Sequence, residues 1–152
     1  MFDNRIALIG GGNMGEALAA GMVKAQFTRR ENILVAEPVP ERREYLKKTH
    51  GLEVFEDGKT AISQAEVILF AVKPQVVDHV ISQMADAVKD AHLLISIVAG
   101  MPTKRFVDGF GVGTRIIRVM PNTPALVGAG AAGLCRGGVA SEVDLDLAKG
   151  IL

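Results

Sequence analysis

Short, predominantly apolar runs recur along the chain, at residues 5–9, Ile33–Ala36, 67–72, 93–98 and 116–120. None of them alternates apolar with polar residues, as a strand with one wet face would. Continuous Val/Ile/Leu runs suit strands buried on both faces, which is the condition of a parallel sheet. Parallel strands need crossovers, and helical patterns fill the intervals. Residues 14–25 are rich in Ala and Leu, and Pro40–His50 ends on Lys47, Lys48 and His50 ahead of Gly51. Cations suit the negative end of a helix, and Gly tolerates the left-handed cap that stops it. Further helical patterns cover residues 75–87 and, as a single short turn before Gly109, residues 103–108. Glu53–Phe55 reads as a short additional strand and residues 133–136 as a late edge strand. The expected fold is α/β and doubly wound, a mainly parallel sheet with helices on both faces and right-handed crossovers.

Between the first run and the first helix stands Gly10-Gly11-Gly12-Asn13-Met14-Gly15, which matches G-x-G-x-x-G. The pattern alone is weak. Here a strand precedes it, a helix follows, and it lies at the chain start, the context of a Rossmann-type dinucleotide site. There Gly10 permits the tight turn, Gly12 lets backbone approach a pyrophosphate, and Gly15 lets helix pack on strand. Helix-end amides then face the phosphates. The same fingerprint asks for an acidic residue about 20 positions on. Glu37 stands there, directly after Ile33–Ala36. A carboxylate accepts from ribose hydroxyls and repels a 2′-phosphate, so Glu37 by itself favours NAD over NADP. Arg42 and Arg43 on the next helix are within reach of such a phosphate, though a solvated helix face accounts for them more simply.

Other chemistries find little support. Seventeen basic residues balance seventeen acidic ones among 152, which argues against nucleic acid or an anionic membrane held by bulk charge. Gly58-Lys59-Thr60 imitates the tail of a P-loop, but Glu53 occupies the position of its first glycine. His50, His79 and His92 lack metal-ligand spacing, and His50 and His79 read as surface or helix-end residues. No G-x-S-x-G elbow is present. Cys135 is the sole cysteine and reads as a small buried apolar residue, so no intrachain disulfide forms and a cytoplasmic location is expected. No apolar stretch is long and unbroken enough to span a membrane as a helix.

Two more motifs fall at the C-terminal ends of expected strands, the edge where open α/β sheets bind ligands. They are Ala71-Val72-Lys73-Pro74-Gln75 and Val119-Met120-Pro121-Asn122-Thr123-Pro124. Taken with the glycine loop and Ser96-Ile97-Val98-Ala99-Gly100, they resemble pyrroline-5-carboxylate reductase, from about Arg5 to the end of the chain. The first segment is shared by a wider group of Rossmann dehydrogenases, whereas Met120-Pro121-Asn122-Thr123-Pro124 is far more specific.

The resemblance implies reduction of 1-pyrroline-5-carboxylate to proline, with NADP or NAD as the cofactor and an imino acid as the small-molecule substrate. It places Ile9, Gly10, Gly11, Gly12, Asn13 and Met14 against the pyrophosphate and Glu37 toward the adenosine ribose. Ala71, Val72, Lys73 and Pro74 would line the cofactor cleft, with Ile97, Val98 and Ala99 toward the nicotinamide. Pro121, Asn122 and Thr123 would border the nicotinamide and the substrate entrance. Two positions depart from the pattern. Many relatives carry residues suited to a 2′-phosphate where Glu37 stands, and Asp57-Gly58 occupies the region of an asparagine that commonly touches the adenine side.

Members of that family continue into an all-helical domain that dimerises and carries most of the imino-acid pocket. Ser141 reads as the N-cap of an apolar helix that has barely made three turns when the chain stops at Leu152. Residues 1–152 are therefore expected to be the cofactor domain of a longer homo-oligomeric reductase. A dinucleotide-binding module without turnover of its own, or another NAD(P)-dependent reductase of similar fold, would carry the same binding motifs.

Overall fold

The computed structural model describes residues 1–121 and 132–152. Its centre is a seven-stranded sheet built from β1 (Ile6–Ile9), β2 (Ile33–Ala36), β3 (Glu53–Phe55), β4 (Val67–Phe70), β5 (Leu93–Ser96), β6 (Arg115–Pro121) and β7 (Ala132–Gly138). Their order across the sheet is β3-β2-β1-β4-β5-β6-β7. All neighbours pair in parallel except β6 and β7, which are antiparallel. The chain builds outward in one direction through β1, β2 and β3, then crosses back and builds the other way from β4. Between β1 and β4 the order reverses, and a crevice opens beyond their carboxyl ends, as expected at a topological switch point.

The helices are α1 (Asn13–Lys24), α2 (Pro40–His50), α3 (Gly58–Ile62), α4 (Val77–Met84), α5 (Thr103–Phe110) and α6 (Glu142–Ile151). Two apolar cores lie on opposite faces of the sheet. Ile6, Leu8, Val35, Leu69 and Ile95 meet Ala19 and Met22 of α1, Leu46 of α2 and Ile151 of α6. On the other face Ile9, Ile68, Phe70 and Leu94 meet Ile62 of α3, Ile81 and Met84 of α4, and Phe106 of α5. Every residue of β1, β2, β4 and β5 is buried, because alternate side chains feed alternate cores. The few aromatics are concentrated on the second face, where the Phe70 ring lies 5.2 Å from Phe106 and 6.0 Å from Phe110.

Local signals placed most boundaries. Pro40 opens α2, and Gly51 closes it with φ 65°. Ser141 caps α6: its Oγ accepts from the Asp144 amide at 3.2 Å, while Asp144 Oδ2 accepts from the Ser141 amide at 2.8 Å. Asp144 also pairs with Arg115, which ties α6 to the sheet. The helix expected over residues 75–87 divides into a 3₁₀ turn at Pro74–Val76 followed by α4. Gly109 lies within α5, and Gly111, with φ 110°, ends that helix instead. Helix α3, between β3 and β4, falls where the sequence reading has no element. Among the described residues, no helix is long and apolar enough to cross a membrane. Cys135 is exposed on β7 rather than buried, since that edge strand presents one side to solvent.

Candidate functional site

The glycine loop leaves β1 at the switch point, and its glycines serve different purposes. Gly10 has φ 104°, and a Cβ there would meet the Ala71 carbonyl oxygen at 2.8 Å, so turn and close approach both require glycine. A Cβ at Gly15 would lie 2.1 Å from the Gly10 carbonyl oxygen and 3.5 Å from Leu8 Cδ2. Gly15 therefore lets α1 close onto the loop's own backbone more than onto the strand. At Gly12, by contrast, a Cβ would meet nothing within 4 Å. The space beside Gly12 is open, as it must be if a ligand is to touch the main chain there.

Gly12 is also the N-cap of α1 and supplies no capping side chain. Among the described residues, the amides of Gly12, Asn13, Met14 and Gly15 have no hydrogen-bond partner, whereas Glu16 donates to the Gly12 carbonyl at 2.9 Å. Four orphan N–H groups at a positive helix end form a receptor for an anion. The same loop borders, through Ile9 and Gly10, a cleft of about 860 Å³ that is also lined by Ala36, Pro38, Asp57, Val72 and the α4 residues Val80 and Met84. That is room enough for a nucleoside against an apolar wall. Lys59 and Asp86 pair across part of the lining at 2.9 Å, and His79 lies exposed on it.

Glu37, 7% exposed, sits beneath the loop. Its Oε2 accepts from the Gly11 amide at 3.0 Å and its Oε1 from the Val39 amide at 2.9 Å. Arg42 and Arg43 do not form the solvated face that a simple sequence reading gives them. Arg42 Nε donates to the Gly11 carbonyl at 2.6 Å, and its Nη2 to Glu16 Oε2 at 2.5 Å. Arg43 donates to the carbonyls of Glu37 and Pro38, at 2.9 and 2.7 Å. Glu16 collects two further partners, Tyr45 Oη at 2.9 Å and His50 Nε2 at 2.6 Å. Burial would raise the Glu16 carboxyl, but the bonds from His50, Arg42 and Tyr45 outweigh it and hold the pKa down to about 2. His50 does lie at a helix end, yet its ring is committed to Glu16 rather than free at the surface.

The remaining expected residues fall along the same carboxyl edge. Ala71 continues the pairing of β4 by donating to the Ile9 carbonyl at 2.8 Å, and Val72 enters the cleft. Lys73 is extended and exposed, and Pro74 begins the 3₁₀ turn. Ile97 prolongs β5 through a bond to the Phe70 carbonyl at 3.1 Å. The Val98 side chain, 2% exposed, belongs to the core, so only its backbone is available at the edge; Ala99 is exposed. Pro121 ends β6 opposite Ala132. Asn122 and Thr123 lie outside the described residues.

Two features escaped the sequence reading. Asp57 caps α3, its carboxylate accepting from the Thr60 amide at 3.0 Å and from the Thr60 hydroxyl at 2.7 Å. These bonds hold the Asp57 carboxyl below its ordinary range. An Asp preceding Gly58-Lys59-Thr60 was a readable cap signal. The Glu16–Arg42 pair joins residues 26 positions apart, and no local spacing marks it.

A family model described as "NADP oxidoreductase coenzyme F420-dependent" matches residues 5–100. The chain is 41% identical over 147 residues to a pyrroline-5-carboxylate reductase of Synechocystis, covering 97% of this chain and 54% of that one. The solved structure of a pyrroline-5-carboxylate reductase from Coxiella burnetii superposes with a TM-score of 0.90 at 29% identity, covering 97% of this chain and 55% of its own. A Plasmodium falciparum pyrroline carboxylate reductase with NADP bound gives 0.84 at 28% identity, covering 97% and 53%. The chain thus spans about half the length of the relatives it matches.

Proposed function

The chain belongs to the NADP oxidoreductase, coenzyme F420-dependent family, and from that premise we propose that it is the nucleotide-binding half of a pyrroline-5-carboxylate reductase. One observation carries the proposal. Among the described residues, four amides at the start of α1 are unpartnered, the space beside Gly12 is open, and a cleft sized for a nucleoside begins at Ile9 and Gly10. The residues present fit a pyridine dinucleotide. The amides from Gly12 to Gly15 would hold the diphosphate, and Ile9, Ala36 and Val72 would pack against the adenine end. Backbone at Ile97–Ala99, with Pro121, Asn122 and Thr123, would border the nicotinamide and the imino acid. When bound, the reduced nicotinamide would supply a hydride to the imine carbon of 1-pyrroline-5-carboxylate, which with one proton on the ring nitrogen gives proline and the oxidised nicotinamide. The chain's part is to fix the donor ring at near-attack distance and to exclude water from it. A helical domain would complete the imino-acid pocket and pair subunits into a homo-oligomer, working in the cytoplasm.

The finer choice of cofactor is NADH. Glu37 places a carboxylate at the end of β2, and both arginines able to meet a 2′-phosphate are engaged by backbone carbonyls and, for Arg42, by Glu16. Titration calorimetry of the wild type and Glu37→Ser with NADH and NADPH tests the choice. The wild type is expected to bind NADH more tightly, and the substitution to narrow that advantage. Equal affinities in the wild type would reject NADH preference. For the activity, the full-length enzyme should oxidise NADH or NADPH only when 1-pyrroline-5-carboxylate is present; no oxidation with that substrate would reject the reductase assignment.

A further inference from the structure

The Gly11 residue is held by side chains at both of its polar atoms, an uncommon commitment for a segment of three successive glycines. Its N–H donates to Glu37 Oε2, and its carbonyl accepts from Arg42 Nε. A trans peptide is planar, with C=O and N–H directed oppositely. The Gly11 carbonyl and the Gly12 N–H share one such plane, so anchoring the carbonyl toward α2 aims the Gly12 N–H away from it, among the open amides. Without these anchors the three glycines would range widely over backbone conformations, and a ligand would have to freeze them on binding. We propose that Arg42, braced by Glu16, is a positioning residue that pre-orders the glycine loop for a diphosphate-bearing ligand. It touches no ligand itself. The inference rests on the dinucleotide-binding role proposed above.

Three features distinguish this arrangement from a surface ion pair. Arg42 has 24% and Glu16 20% of its side chain exposed, so the pair is shielded. Arg42 is held in direction by the Tyr45 ring, whose centroid lies 4.8 Å from its Cζ. Glu16 is itself fixed by Tyr45 and His50, so the guanidinium has a rigid counter-ion. The brace therefore runs from α2 through α1 to one peptide of the loop.

The test compares NADH, which carries the diphosphate, with adenosine, which does not. Loss of a pre-ordering bond from a charged donor should weaken NADH roughly tenfold in Arg42→Met, with adenosine affinity unchanged. Arg42→Lys, which reaches either the Gly11 carbonyl or Glu16 but not both in the same geometry, should restore part of the loss. Glu16→Gln should weaken NADH by a smaller factor. NADH affinity within twofold of the wild type in a folded Arg42→Met overturns the inference, as does an equal loss for NADH and adenosine. If circular dichroism shows Arg42→Met unfolded, Arg42→Lys and Glu16→Gln decide, and unchanged NADH affinity in both overturns it. A wild type that binds no NADH defeats the dinucleotide role itself, whereas a wild type that binds alongside indifferent variants defeats only the positioning role.

Discussion

Helices α1 and α6 begin in opposite ways. At α6 the chain closes its own helix end: Ser141 and Asp144 cap each other's amides, and Arg115 neutralises the carboxylate. At α1 the capping position is Gly12, which contributes no side chain, and four amides in succession are left unpartnered among the described residues. Both ends bear the same unsatisfied N–H groups and the same positive dipole end. What differs is who satisfies them. The end of α6 is sealed by its own residues, and the end of α1 is left open while the neighbouring Gly11 is bonded on both sides. The bracing at α1 lies one residue back, on Gly11, so it stiffens the loop without occupying the site.

The sharpest way to break the contrast is Gly12→Val. A Cβ there meets nothing within 4 Å, so stability should fall by only about 1 kcal/mol through the poorer N-cap, while filling the ligand's approach should weaken NADH roughly a hundredfold. Thermal melts and calorimetry on the same sample read both quantities; a variant that binds like the wild type would show that the open amides are not the receptor. Asp144→Ala attacks the sealed end instead. It removes the cap partner and leaves Arg115 without its carboxylate, which should cost about 2 kcal/mol in urea unfolding with NADH affinity unchanged. A parallel loss of NADH affinity would mean that the two helix ends are coupled.

The smallest effect is with pH. Bonds from Arg115 lower the Asp144 carboxyl, and Glu16, despite the opposing effect of burial, is held to about 2. Both folded values lie below the unfolded ones, so each group's contribution is complete above the ordinary carboxylate range and is lost as pH falls through the folded values. Acid unfolding between about pH 4.5 and 2 should therefore be shallower in Glu16→Gln. An unchanged acid limb would remove Glu16 from the acid response.

The difference between the two helix ends also marks how far the sequence could be read. Ser141 followed by Asp144 is a local signal, and it was legible because a cap bonds to its own next turn. The central strands β1, β2 and β4 were legible for a similar reason: a strand buried on both faces has no polar position to interrupt it. Helix α3 was not, since five residues give too little periodicity to register. Gly10 stands in the tight turn that the dinucleotide fingerprint asks for and Gly12 borders open space, but the partner of Gly15 proved to be the loop carbonyl. Glu37 was found by its distance from the loop; that its oxygens would be taken by two backbone amides was not, because nothing in one strand reports the height of the next loop above it.

The chain's order of apolar runs, its glycines and its caps determined a doubly wound sheet and the position of the glycine turn at the start of α1, because each depends on residues adjacent in sequence or on a simple period. Packing alone decided that Arg42 and Glu16 would brace Gly11, that the Val98 side chain would turn into the core, and that Cys135 would face solvent. Those outcomes depend on which surfaces meet across the switch point and at the sheet edge. Such meetings join residues far apart along the chain, where directional bonds and excluded volume act but sequence spacing carries no record of them.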